Sequence, residues 1–463
     1  MREAHPTERA VGIAWYASDA PGTGGRLRDR PEDFRVEEIE TLDPDPLDAD
    51  PGSYPCLLVR ATLREWETTH FARRLADALG ASRERVSWAG TKDRNAATTQ
   101  LFTVRKAQPE DLPALAGAEI EPVGRLGRDL TFGDLAGNRF EIRVREPGHP
   151  ENAERVTADL RGDDEGSGAN ADDPPTVGVP NYFGSQRFGS GRQVTHEVGL
   201  CLLRDDPRGA VLSYCGAPAD AEPDDTRAAR AFVDEQAGSA DPRWGEAAER
   251  MPAPMGHERA MLSRLAERGV VESSPDEDWL WALSAVPSAL QRLFVNAAQS
   301  LIFNRIVSAR LERGVPLAEP VAGDVVAFAD RSGPPGAPPR PDPDRLQRVD
   351  EGRVEVATRH CRRGRAFVTA PLVGTETEFG DGDPGAIERE VCADLGVEPA
   401  DFALPEGFDS RGTRRAVLVQ TEVTVDRGDE SEDGDYTLEF SLPSGSYATV
   451  LLREYLKVDP ARL

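Results

Sequence analysis

The sequence predicts an α+β fold in which sheet-forming segments near both chain ends enclose an inserted middle. Three observations lead there. Apolar and polar residues alternate in strand fashion at 97–105 and 138–145, and again at 414–425 and 435–442. Helical patterns dominate the stretch between, above all 288–311. Three segments, 161–175, 330–345 and 426–435, combine proline, glycine and acid with almost no apolar content, so they read as loops or insertions that bury no face. No repeat period is present, which excludes a solenoid. At about 150 residues per domain, 463 residues suggest two or three domains.

Taken in order, the elements have local causes. Gly22-Thr-Gly-Gly25 reads as a turn and not a phosphate cradle, because no strand pattern precedes it. Residues 68–79 place Phe71, Leu75 and Leu79 four apart with Gly80 as a stop, which predicts a helix. A short strand, Val86 to Trp88, runs into a turn at Gly90. Residues 217–243 are rich in Ala, Asp and Pro and read as weakly structured. The 288–311 segment predicts a long buried helix, whose Gln299 and Asn304 are expected to bridge buried backbone. A last helix is expected near 446–457.

Composition narrows the function. Acids number 82 against 55 basic residues, for a net charge of −27. Only Lys92, Lys106 and Lys457 are lysines, the remaining basic residues being arginine. This is the bias of an extreme halophile, whose carboxylate surface stays soluble in concentrated salt. A GC-rich genome explains the missing lysines but not the excess of acids. Acidity ordinarily argues against nucleic acid as a partner. In molar salt the screening length is about 3 Å, so recognition rests on shape, stacking and short hydrogen bonds whatever the net charge. The five cysteines form no CxxC pair, and His360–Cys361 alone makes no zinc site. No run approaches the roughly 18 apolar residues of a membrane span, and the N-terminus has no secretory pattern. A cytoplasmic protein with reduced thiols and no metal is expected.

The segment Val86–Gln100 carries the densest chemistry. After the Gly90 turn, Lys92, Asp93 and Arg94 cluster just before the next strand. A carboxylate between two cations is held ionised, which suits a nucleophile or base. A surface turn with ordinary ion pairing is the competing reading.

Six ordered blocks then carry a resemblance. Gly90-Thr-Lys-Asp-Arg-Asn-Ala-Ala-Thr-Thr-Gln100 is similar to the G-x-K-D-[RK]-x-A-x-T-x-Q signature of the TruD family of tRNA pseudouridine synthases. Pro31-Glu-Asp-Phe-Arg-Val-Glu-Glu38 resembles its P-x-x-F-x-V-x-E strand, and Gly137-Asn-Arg-Phe its G-N-x-F motif. Pro180-Asn-Tyr-Phe-Gly-Ser-Gln-Arg-Phe-Gly189 resembles the P-N-Y-F-G-x-Q-R-F-G block. Asn296–Asn304 and Phe440–Glu454 match later blocks. The acidic segments depart from the pattern; they carry no motif and are expected to leave the chemistry untouched.

The resemblance implies a pseudouridine synthase catalytic domain, a mixed sheet flanked by helices, interrupted by a family-specific α+β insertion domain. Its expected limits are 1–177 and 403–463 for the catalytic domain and 178–402 for the insertion. It further implies isomerisation of a tRNA uridine, usually uridine 13, through one aspartate that aligns with Asp93, without metal or organic cofactor. Attack at C1′ and removal of the C2′ proton both need that carboxylate ionised. The expected partner is tRNA, with no membrane, and the expected state a monomer. An extruded base needs a ring to stack on, and Phe140 fits that role or an inward core position. Asn138 is expected to hold Asp93 or a base edge, and Glu38 to pair with Lys92. Tyr182, Gln186 and Arg187 either contact RNA or pack the junction between domains; Arg414, Arg415 and Arg453 are candidates for phosphate. A non-catalytic tRNA binder of this fold and a two-carboxylate glycosidase or nuclease are the rival readings; the intact G-T-K-D-R motif speaks against the first.

Overall fold

The computed structural model describes residues 1–92, 94–161, 174–189, 191–330, 333, 337–405, 407–427 and 434–463. Asp93 and most of the 161–175 and 426–435 segments therefore lie outside the described residues. A two-stranded ribbon, β1 (Arg2–Glu3) and β2 (Trp15–Tyr16), opens the chain. The main sheet then takes β3 (Phe34–Glu40), β4 (Cys56–Arg64), β5 (Val86–Trp88), β6 (Ala97–Arg105), β7 (Ala118–Leu126), β8 (Leu135–Val144) and β9 (Thr176–Pro180). After a helical stretch, β10 (Val325–Ala329), β11 (Pro341–Arg348), β12 (Ala366–Leu372) and β13 (Thr413–Ala416) make a second sheet. The chain returns to the main sheet with β14 (Leu418–Asp426) and β15 (Tyr436–Pro443).

The main sheet runs β7-β4-β6-β3-β8-β15-β14-β9, with β5 also on β6. Among the described residues only β3 and β6 pair in parallel; every other pairing in this sheet is antiparallel. The result is the mixed α+β architecture the sequence predicts. Strand pairing shows where the chain passes between the two sheets. The main sheet keeps the chain through Pro180 and regains it at Leu418, so the 414–425 pattern divides between two sheets at Val417. The reason is pairing with different partners: Thr413–Ala416 bonds to β12 and Leu418–Glu422 to β9. Alternation along a strand reports its faces and says nothing of its neighbour.

The helices follow the apolar stripes. Thr68–Ala78 sets Phe71, Ala72, Leu75 and Ala76 against Leu57, Val59, Phe102 and Val104 of β4 and β6. Each fully buried Phe or Leu there contributes roughly 1.5–3 kcal/mol. The long helix, Ser288–Glu312, runs through the largest core cluster. Its polar residues do bridge backbone. Asn304 Nδ2 donates to Val11 O and Phe183 O (both 3.0 Å) while its Oδ1 accepts from Phe183 N (2.8 Å). Gln299 Nε2 donates to Val373 O at 2.6 Å. Residues 217–243, weak by composition, contain a helix at Asp224–Ala237. Pro223 precedes it, Asp224 and Asp225 fall in its first turn where the helix dipole favours acid, and Phe232 and Val233 supply a buried stripe. Gly22–Gly25 is a turn: Thr23 N and Gly24 N bond to Tyr455 O and Leu456 O at the end of the last helix, Ala448–Leu456. A Cβ at Gly22 would lie 2.2 Å from Leu456 O, so only glycine permits this approach.

Among the described residues no helix is long and apolar enough to cross a membrane. The −27 charge leads us to expect a melting temperature that rises steeply between about 0.1 M and 2 M KCl as screening relieves self-repulsion. A thermal melt that is the same at both concentrations contradicts this. The five cysteines are free thiols, and burial pushes all five up, Cys56 to about 11 and Cys361 and Cys392 to about 12. Folded thiols keep protons that unfolded ones release above pH 9.0, so their contribution is full below that pH and is lost as pH climbs toward the folded values. Burial of Lys457, drawn down to about 8, works the other way. With five thiols against one amine, denaturation midpoints in molar salt should fall from pH 9 upward; a midpoint that rises there contradicts the assignment.

Candidate active site

The site grows from the register of three strands. Glu38 on β3 sits directly opposite Asn138 on β8, which on its other side faces Leu442 of β15. Glu38 is buried, its side chain 1 % exposed, and its Oε1 accepts from Lys92 Nζ at 2.6 Å. Its Oε2 accepts from Leu101 N at 3.3 Å. Burial pushes the Glu38 carboxyl up, and the Lys92 ammonium works against that shift. A buried ion pair of this kind persists because both charges find donors and acceptors at close range.

Lys92 is tied at two points. Besides Nζ on Glu38, its backbone N donates to Thr68 Oγ1 at 2.9 Å, at the first residue of the 68–78 helix. Gly90 makes room: a Cβ there would lie 2.7 Å from Glu38 Oε1 and 2.8 Å from Lys92 Nζ. The residue before Asp93 is thus anchored from below and behind. Among the described residues three buried polar atoms nearby on β6 and β8 have no partner: Thr98 Oγ1, Gln100 Oε1 and Asn138 Oδ1. Unpartnered buried acceptors are rare in folded proteins and mark places where a ligand or a missing neighbour completes the network.

The other expected site residues fall in two groups. Phe140 lies two residues along β8 from Asn138, on the same face, and is 7 % exposed. Its ring stacks on Phe440 at 5.0 Å and meets Phe34 edge-on at 6.4 Å, so Phe440 covers one face. The Pro180–Gly189 block sits at the joint between the two sheets. Gln186 is exposed and Arg187 half-buried, its Nε donating to Ser300 Oγ at 3.4 Å. Tyr182 is a correction. It is fully buried, its hydroxyl is 3.1 Å from Ser308 Oγ, and burial raises its phenol well above the ordinary range. It has no surface to offer RNA and packs the joint, the other role its block allows.

Two of the arginines considered for phosphate are also spoken for. Arg453 is buried against Glu8 (2.6 Å) and Glu454, and Arg414 Nη2 reaches Glu388 Oε1 at 2.7 Å. The 330–345 segment, expected to leave the chemistry untouched, comes close to β8. Pro338 Cδ lies 3.3 Å from the position of a Cβ on Gly137, and Arg340 Nη1 is 3.5 Å from Leu135 O, so this segment abuts the β8 strand that carries Asn138. Its composition, without an apolar stripe, gives no sign of that contact. Sequence reasoning likewise misses Thr68 as a site residue; its place at a helix start is readable, its bond to Lys92 is not.

With this geometry in view, comparison with known proteins gives a consistent answer. Residues 10–455 match the family model described as tRNA pseudouridine synthase D (TruD). The chain is 56 % identical over 463 residues to the probable tRNA pseudouridine synthase D of Halobacterium salinarum and 56 % identical over 465 residues to that of Natronomonas pharaonis, with 100 % of each chain covered in both comparisons. It also matches the crystal structure of the putative tRNA pseudouridine synthase D from Methanosarcina mazei, with a TM-score of 0.82, 36 % identity and full coverage of both chains. The fold is that of the pseudouridine synthase class. The chain belongs to the tRNA pseudouridine synthase D family.

The buried pair makes a stability prediction. Glu38→Gln strands the Lys92 ammonium and should destabilise the protein by about 3–5 kcal/mol. The double variant Glu38→Gln with Lys92→Met should recover most of that loss. Equilibrium denaturation in molar salt reads both; a single variant as stable as wild type refutes the pairing.

Proposed function

We propose that the chain isomerises uridine to pseudouridine in tRNA, at uridine 13, with Asp93 as the one catalytic carboxylate. The C1′–N1 bond breaks, the base turns, and C5 bonds to C1′ while C5 gives up its proton and N1 gains one. Atoms are only rearranged, so the overall reaction needs no oxidant or reductant. Asp93 serves either by attack at C1′ or by taking the C2′ proton, and both need it ionised.

The observation that supports this best is the double anchoring of Lys92, on Thr68 through its N–H and on Glu38 through its ammonium. It fixes the residue that precedes Asp93 in the chain, and a carboxylate with a cation beside it stays charged. In this reading Glu38 is a positioning residue that acts through Lys92. Asn138, with its unpartnered Oδ1, takes a hydrogen bond from the target base or its ribose. Phe140, backed by Phe440, is the aromatic floor for the turned base. Stacking of this kind contributes roughly 1–3 kcal/mol per base. Gln186, exposed at the joint between the sheets, and the half-buried Arg187 beside it also meet the tRNA.

The deciding experiment maps pseudouridine by carbodiimide primer extension on unmodified tRNA incubated with the protein in molar KCl. A stop at uridine 13 that vanishes with Asp93→Asn, while tRNA binding stays near wild type, supports the reading. Equal activity in Asp93→Asn overturns the role of that residue. No stop on any tRNA, with a folded protein that still binds, favours a non-catalytic tRNA binder.

A further inference from the structure

Three arginines in the later sequence blocks are candidates for phosphate, and the structure separates them. Arg453 and Arg414 are matched by Glu8, Glu454 and Glu388. Arg415 is different. Its guanidinium lies at the joint between the two sheets and, among the described residues, donates only to neutral acceptors: Nε to Asn181 O (3.1 Å), Nη2 to Asn181 Oδ1 (2.7 Å) and Nη1 to Gly445 O (2.9 Å). It packs over the Phe183 ring at 4.2 Å and near Phe303 at 5.6 Å. Burial draws it down to about 10, with Tyr447 working against that shift and the neighbouring cation Arg187 adding to it. Arg187 also reaches over Phe183, at 5.9 Å, and has a hydroxyl, Ser300, as its partner.

In a chain with 82 acids, two guanidiniums over one ring without a carboxylate partner among the described residues stand out. A desolvated cation without a counter-ion is unfavourable unless an anion completes it. Arg415 is also held in one orientation. Asn181 is buried, donates its own Nδ2 to Ala416 O at 3.0 Å, and takes a second hydrogen bond from Ser446 Oγ at 3.0 Å. Three of five guanidinium N–H groups are used on these acceptors, which leaves two for a ligand. The location fits the proposed reaction. Gly445 lies two residues past Pro443, the register partner of Gly137, and Ser444 N bonds to Ala136 O at 2.9 Å. The pair therefore stands beside the strand end that leads to Asn138, and Ser444 and Gly445 are exposed there.

We propose that Arg415 and Arg187 form a phosphodiester site at the joint between the sheets, which grips one backbone phosphate of the tRNA next to the target nucleotide. This rests on the proposed function and names the anchor that its cleft uses. Planar guanidiniums suit the two free oxygens of a phosphodiester. In molar salt, where long-range attraction is screened away, guanidiniums that touch the phosphate directly keep their grip.

The test measures binding of an in vitro transcribed tRNA at several KCl concentrations in the molar range, with pseudouridine mapping of wild type alongside. Arg415→Gln should raise Kd about tenfold, and the slope of log affinity against log salt should become shallower by about one. Arg415→Lys should restore part of the affinity, since it keeps the charge and loses the fork. Arg187→Gln, at a half-buried position, should weaken binding in the same direction and keeps the test open if Arg415 variants fold poorly. Wild-type isomerisation together with unchanged Kd and salt slope in folded Arg415→Gln and Arg187→Gln overturns the site alone. A wild type that neither binds nor modifies tRNA overturns the functional reading and the site with it. Inorganic phosphate that competes with tRNA in wild type but not in Arg187→Gln supports the site.

Discussion

Everything at the candidate site depends on the register of β8. The strand is gripped by β3 on one edge and β15 on the other, so Glu38, Asn138 and Leu442 stand in one row across the sheet. Side chains alternate along a strand with a period of two, so a slip of one residue would send Asn138 and Phe140 to the opposite face. The Glu38–Lys92 pair would then have lost its neighbour. The register is secured because Phe140, Ile142 and Val144 are buried on one face while Arg139, Glu141 and Arg143 face water on the other. Burial of the apolar row sets the register, and the register sets the site.

A second constraint is how this acid-rich chain manages charge inside. Among the described residues its buried ion pairs join particular segments. Arg453 with Glu8 and Glu454 joins the opening turn to the last helix, and Glu454 Oε2 also accepts from Ala17 N and Ser18 N. Arg310 with Asp324 ties the long helix to the start of β10. Such pairs add little net stability over well-packed apolar groups, yet removing one partner is severe. Their effect is to specify which distant segments meet, and they hold under salt because solvent ions do not reach them. The exposed pairs, by contrast, are individually worth about 0–1 kcal/mol. Lys92 belongs to the buried set, in a chain that otherwise prefers arginine. A compact ammonium fits the space above Gly90 where a planar guanidinium has a different shape and reach.

Much of this is legible in the order of residues. The 68–79 helix, the β6 and β8 strands and the long helix follow from periodicity, because one buried face imposes one period. The pairing of Glu38 with Lys92 is readable from the charges and the family motif together. The misses share a cause. Tyr182 reads as open to RNA or packed at the junction, and its contacts include Ser308 on a helix far away in sequence. Asp224–Ala237 looks weak by composition, and packing of Phe232 and Val233 overrides that weakness. The 330–345 segment lacks an apolar stripe, and nothing local foretells that Pro338 comes to rest beside Gly137.

By itself the sequence determined most of the strands and helices, the excess of acid and the six blocks that mark the family. These are properties of short windows, set by side-chain size, charge and spacing. Tertiary structure alone decided which arginines are spent on carboxylates and which stand clear of them. It also decided that β13 and β14 serve different sheets and that Lys92 is anchored on Thr68 as well as Glu38. The physical reason is that a partner's identity depends on long-range pairing, where segments hundreds of residues apart compete for the same face, and no local pattern records who wins.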